Sequence, residues 1–213
     1  MTPSQLYSRI LPFVPGCPEP TVDQAVMDAV IEFADRTQAI FTTSTPVPLV
    51  DGRSTYYVFG DYGLEPDLIR GVYVGPRELT HATQSRLHDL IPSWQTAESS
   101  EPTVYTTFEE SGSITVYPKP RNVNGGALTI VATWSPGLDA TSFPDELGRR
   151  YFRDLAEGAK ARLMMMPDRK WTNPQLGAIC QGKFDSGISD ARIEAIHAKG
   201  AGSIVVRQRQ FGS

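Results

Sequence analysis

The sequence predicts an α+β protein: a helical bundle formed from both chain ends, an inserted small antiparallel β-domain and an extended C-terminal arm. Three observations predict it. An amphipathic stripe runs over Val22–Ile40, β-prone runs punctuated by proline and glycine fill residues 42–143, and helical periodicity returns after Ser142-Phe143-Pro144-Asp145. The first stripe has an apolar face to bury, and its helical partners come only after the strands. The expected domains are therefore 1–41 with 144–200 as a discontinuous helical bundle, 42–143 as a β-sandwich or barrel-like insert, and 201–213 as the arm.

The elements follow in chain order. A short helix is predicted over Pro3–Ile10, with proline in the tolerated first turn and Leu6, Ile10 and Tyr7 facing inward. Leu11-Pro12-Phe13-Val14-Pro15-Gly16-Cys17-Pro18-Glu19-Pro20 carries four prolines, which predicts a stiff, extended connection. Thr21 is the expected cap of the next helix. There Val22, Ala25, Val26, Ala29, Val30, Phe33, Thr37 and Ile40 recur at i, i+3, i+4, i+7, while Asp23, Asp28, Glu32 and Asp35 take the other side. About 20 residues make ~30 Å of helix, the length of a strut.

Strands are expected at Thr42–Val50 (a proline-marked edge), Ser54–Phe59, Leu68–Val74, Val104–Glu109, Ile114–Tyr117 and Leu128–Trp134. Ser85–Ile91 reads as a short helix. Leu147, Tyr151, Leu155, Ala159, Leu163 and Met166 mark a further helix closed by Pro167. Another opens at Asn173-Pro174 and ends at Lys199-Gly200, a cation and a C-cap glycine.

Composition excludes several classes. The 213 residues are 40% hydrophobic and 21% charged, near globular averages. No run approaches the ~20 apolar residues of a membrane span, and the N-terminus lacks the basic and apolar regions of a signal peptide. Cys17 and Cys180 make no disulfide framework, and with three histidines they spell no zinc site. The formal charge of −4 is unevenly spread: residues 1–41 carry −3, 42–143 carry −5, 144–200 carry +2 and the tail +2. An acidic front and a basic back favour head-to-tail contact between copies.

The search for chemistry finds no nucleophile elbow, zinc-protease, phosphate-loop or dinucleotide motif. Gly125-Gly126 reads as a hairpin turn, His81 and His88 as surface or capping residues, and His197 as a helix-end cation. Glu109 and Glu110 are adjacent on a strand and point to opposite faces, which makes them a poor catalytic pair. The expectation is a non-enzymatic protein with no catalytic, cofactor-binding or metal-binding residues and no cofactor. The tail Gly202–Ser213 has three successive β-branched residues, spaced arginines and a late phenylalanine, suited to adding a strand to another chain or seating Phe211 in a pocket.

Leu11-Pro12-Phe13-Val14-Pro15-Gly16-Cys17-Pro18 before Ala-Val-x-x-Ala-x-Ile-Glu-Phe (Ala25–Phe33) resembles the opening of tailed-bacteriophage head-to-tail connectors, the adaptor or tail tubular protein A-like family. Pro144-Asp145-Glu146-Leu147, Met166-Pro167-x-x-x-Trp171-x-Asn173-Pro174 and Phe184-x-x-Gly187-Ile188 are similar too, whereas the β-insert matches only in texture. The resemblance implies a virion protein of the capsid–tail junction, made in the bacterial cytoplasm. It would form a homo-oligomeric ring, twelve-fold as a dodecamer, beneath the portal.

Its implied partners are the portal protein, further copies of itself and the next tail component (nozzle or tail tube). Double-stranded DNA would pass through the lumen during ejection without sequence-specific binding, and no membrane is involved. The portal-binding arm would be Ile204, Val205, Val206, Arg207, Arg209 and Phe211. Asp23, Asp28, Glu32 and Asp35 are the candidate channel lining, where carboxylates would repel the phosphate backbone. The alternatives are a stopper or tail-completion ring of the same machine, and a β-sandwich glycan-binding module presenting Tyr56, Tyr57, Trp94 and Trp134.

Overall fold

A computed structural model of the chain describes residues 1–58, 60, 63–91, 94, 98–107, 113–121 and 126–199, except the side chains at 84, 198 and 199. The described fold is α+β. Its first residues wind through a 3-10 turn at Pro3–Leu6, helix α1 (Tyr7–Ile10) and a second 3-10 turn at Leu11–Phe13. The second turn replaces the extended connection expected from the prolines, because Pro12 sits where a helical turn has no intrahelical N–H bond to lose. Leu6, Ile10, Val14 and Cys17 point inward from this segment.

Helix α2 spans Glu19–Thr37 and begins two residues before the expected cap at Thr21. Pro18 is the N-cap and Pro20 fits the first turn. Val22, Ala25, Val26, Ala29, Val30, Phe33 and Thr37 are all buried. The helix stops three residues short of Ile40. Gln38 turns left-handed at φ 53° and donates its N–H to Ala34 O at 2.8 Å. Thr37 Oγ1 donates to Phe33 O at 2.7 Å and accepts the Ala39 N–H at 3.2 Å, the second bond satisfying an N–H that a further helical turn would have used. Ile40 is thereby freed to pack against both principal apolar clusters.

The strands form two sheets. In the first, β9 (Ala127–Pro136) pairs with β1 (Phe41–Thr43) and β2 (Val47–Pro48) along one side and with β4 (Leu64–Val74) along the other. Strand β5 (Arg77–Glu78) continues beyond β4. Leu128, Ile130, Ala132 and Trp134 alternate inward along β9, the period-two pattern of a sheet face. Strand β4 begins four residues before its predicted start at Leu68, because register shifts around Pro66 and Gly71 let the ladder absorb a proline and a glycine.

The second sheet runs β3 (Thr55–Tyr57), β8 (Ser113–Tyr117), β7 (Val104–Thr106), β6 (Thr80–His81). The antiparallel expectation fails where β6 and β7 pair in parallel, Thr80 opposite Val104. A parallel pair needs a long crossover. Helix α3 (Gln84–Leu90) lies within that connection and buries Leu87 beside Ala82, Val104 and Tyr117.

Helix α4 (Asp145–Met165) follows Pro144, and α5 (Pro174–Lys199) opens on its proline. α2 packs on α4 and α5, and α4 packs on α5. Close approach at the α4–α5 seam depends on missing side chains: a Cβ on Gly158 would fall 2.7 Å from the Phe184 ring, and one on Gly187 2.5 Å from the Asp154 carboxyl carbon. α4 departs from helical geometry at Tyr151 (φ −115°, ψ 19°). That ring stacks on Phe33 at 4.8 Å, and its hydroxyl donates to Glu194 Oε2 at 2.9 Å.

Candidate functional site

The four acids of α2 separate into two groups. At about 100° per residue, Asp28, Glu32 and Asp35 fall within roughly 60° of one another, while Asp23 lies about 140° away from Asp28. Asp23 accepts a 2.7 Å hydrogen bond from Tyr7, and burial followed by that bond pushes the Tyr7 phenol up to about 12. Asp28 is exposed and accepts from Gln24 Nε2 at 2.8 Å. Asp35 is exposed, with no ion pair among the described residues.

Glu32 is a clasp. Arg36 Nη1 donates to Glu32 Oε1 and to Asp185 Oδ1, 2.7 Å each, and Arg162 Nη2 donates to Glu32 Oε2. The result ties α2 to α4 and α5 through two carboxylates and two guanidiniums. The Arg36 hydrogen bond holds the Asp185 carboxyl below its ordinary range, and Glu32 and Asp185 hold the Arg36 guanidinium more firmly protonated. Glu32 is therefore neutralised within its own chain, and the acidic face it shares consists in practice of Asp28 and Asp35.

A groove of about 830 Å³ opens where the end of α2 meets β1 and the last turns of α5. Phe41, 44% exposed, and Ile196, 48% exposed, supply its apolar surface. Among the described residues lining it, Arg36, Arg70 and Arg192 supply cations against a single carboxylate, Asp35. Arg36 is held by its two acids. Arg70 donates to Gln38 Oε1 at 3.4 Å, and Arg192 meets no carboxylate among the described residues. The groove can accept an apolar side chain flanked by an anion.

None of these groove residues except Asp35 stands out in the sequence, because residues 35–41, 70 and 188–196 come from three distant segments. One signal was available for α5. Its buried stripe is Cys180, Phe184, Ile188 and Ala191, and Ile193 and Ile196 fall about 160° and 140° away from Ala191. Ile193 is 56% exposed. Large aliphatics off the buried stripe leave apolar surface open to a partner.

The other predicted positions are scattered. The arm residues Ile204, Val205, Val206, Arg207, Arg209 and Phe211 lie outside the described residues, as do Glu109 and Glu110. His81 is exposed and stacks on Tyr105 at 5.1 Å, and His88 and His197 are exposed on helices. Tyr56 and Trp134 belong to the strand core, with the indole N–H of Trp134 donating to Thr42 O at 3.0 Å. Tyr57 is exposed and Trp94 is partly buried against Tyr117, so the four aromatics form no single exposed row.

Both cysteines are buried and free. Burial raises the Cys17 thiol. Burial and a hydrogen bond to Glu157 raise Cys180 to about 11. Glu157 also accepts from Lys160 at 2.7 Å, and these two donors outweigh its burial and hold it low. Such thiols stay protonated and unreactive near neutral pH. Among the described residues no group of three His, Cys, Asp or Glu side chains is arranged to hold a metal ion, and no helix is long and apolar enough to cross a membrane. Comparison with models of known protein families and with curated proteins finds no match to the chain.

Proposed function

We propose that the chain is a structural head-to-tail connector of a tailed bacteriophage, an adaptor that forms a ring beneath the portal and leaves a channel for DNA. The observation that carries this reading is the last third of α5. It leaves Ile193 and Ile196 uncovered, and runs on into a C-terminal stretch of three β-branched residues and two arginines. A helix end that exposes two isoleucines and leads into a β-prone cationic segment is suited to gripping a larger assembly. Dissimilar surfaces on one chain, an exposed carboxylate at Asp28 on α2 and a cationic groove around Arg192, suit the heterologous contacts of a closed ring.

In this reading residues 1–41 and 144–200 form the helical bundle of the channel wall. Residues 42–143 form an inserted β-domain directed towards the next tail component, and Ile204–Phe211 bind the portal. Asp28 faces the lumen, where an exposed carboxylate repels DNA phosphates at short range. The role is architectural and non-catalytic. Native mass spectrometry of the purified chain, alone and mixed with the portal protein encoded in the same genome, tests it. A closed ring on the portal is the expected result, and a chain that remains monomeric in the mixture overturns the reading.

A further inference from the structure

The turn after β9 holds an apolar side chain out in solvent. Gly137 donates its N–H to Gly63 O at 3.0 Å, and Ala140 donates back to Gly137 O at 3.0 Å, which places Leu138 and Asp139 at the tip. Gly137 is buried beside Glu65, so close that a Cβ would stand 2.7 Å from Oε1. Leu138 is 89% exposed, more than any other large apolar side chain among the described residues. Burying it elsewhere removes apolar surface from water, and a turn already fixed loses little freedom in doing so. Asp139 forms no ion pair among the described residues.

The α2–β1–α5 groove has the complementary chemistry, an apolar surface from Phe41 and Ile196 beside Arg192, a cation without a described carboxylate. The turn contributes nothing to that groove's lining, so on one chain the two are separate surfaces. We propose that the Leu138–Asp139 turn of one copy docks into this groove on a second copy, Leu138 against Phe41 and Ile196 and Asp139 against Arg192. Two unlike patches meeting head to tail make a heterologous contact, which closes into a ring when the rotation permits. This inference rests on the ring-forming reading above and names the surfaces through which neighbouring copies meet.

Cross-linking tests it without the portal. Full-length chains carrying Leu138→Cys are mixed with chains carrying Ile196→Cys and oxidised, the native cysteines being buried. The expected result is an inter-chain disulfide forming at least about tenfold faster than with Gln175→Cys, an exposed position at the other end of α5. Equal rates overturn the proposal. Adding Asp139→Arg to the first chain, or Arg192→Asp to the second, should each slow the reaction severalfold, and combining them should restore it. If the single reversals slow it and the combination does not recover it, the Asp139–Arg192 pairing is wrong. Rapid cross-linking without portal binding would sink the adaptor reading and leave this contact standing, whereas portal-bound rings without it would do the opposite.

Discussion

The helical and strand regions solve the same burial problem by different means. Among the helices, large side chains from one helix occupy gaps left by glycines on another, and a four-charge clasp joins Glu32, Arg36, Arg162 and Asp185 across the outside. The strand region instead depends on one long strand, β9, which pairs with three others and turns Leu128, Ile130, Ala132 and Trp134 inward. Packing in the first region is a matter of fit between neighbouring surfaces. In the second it is a matter of register along a single element.

Core truncations give the largest way to break that comparison. Phe184 is fully buried against Gly158 and Phe33, and Phe184→Ala should cost about 3–5 kcal/mol, read as a lower midpoint in urea followed by circular dichroism at 222 nm. Trp134→Ala should cost a similar ~3–5 kcal/mol but also release the Thr42 carbonyl and with it the β1 pairing. Faster hydrogen exchange at β1 in Trp134→Ala, absent from Phe184→Ala, is the expected distinction, and its appearance in both variants would mean that the two regions open together.

A smaller effect is expected at the seam. Gly158→Ala forces a methyl towards the Phe184 ring and should destabilise by about 1–3 kcal/mol, the cost of overpacking. An unchanged denaturation midpoint would show that α4 and α5 slide apart freely.

The clasp should contribute less. Asp185 is held below its ordinary range by Arg36, so its stabilisation is present above about pH 4, the unfolded carboxylate value, and is lost as pH falls through the lowered one. Asp154 acts in the opposite sense. Burial raises its carboxyl, so its favourable contribution exists at low pH and disappears as pH rises through the raised value. Asp185→Asn should cost under about 1 kcal/mol at pH 7, as half-exposed pairs do, and should flatten the acid limb of a stability–pH curve.

The least perturbing measurement sharpens the comparison further. Cys17 and Cys180 both lie in the helical core, and Cys180 is raised to about 11. A thiol-reactive disulfide reagent at pH 8 should therefore label neither cysteine until the helices open, making labelling a clock for that region alone. Rapid labelling of Cys180 in the native protein would contradict its burial.

Helical burial was legible in the sequence wherever periodicity alone decided it. Every predicted inward residue of α2 from Val22 to Thr37 is buried, because a 3.6-residue stripe reports its own facing. Its end was not legible, since Ile40 continues the period and only the left-handed Gln38 with the Thr37 hydroxyl shows where hydrogen bonding stops. In the strand region alternation marked β9, whereas the parallel β6–β7 pair did not follow from patterns that carry no partner information. The candidate site was least legible. Phe41, Arg70 and Arg192 become neighbours only through tertiary packing, and the neutralisation of Glu32 by Arg162 required a partner 130 residues away.

That long separation also bears on how the chain is made. Arg36 and Asp185, which meet across the α2–α5 contact, are 149 residues apart. At roughly 5–20 residues per second of synthesis, α2 emerges about 7–30 s before the helix that covers its far side. For most of that interval Val26, Val30 and Phe33 have neither α4 nor α5 to pack against. The helix region can complete its core only once the C-terminal third has left the ribosome, so truncated translation products should be degraded or held by chaperones rather than accumulate as folded fragments.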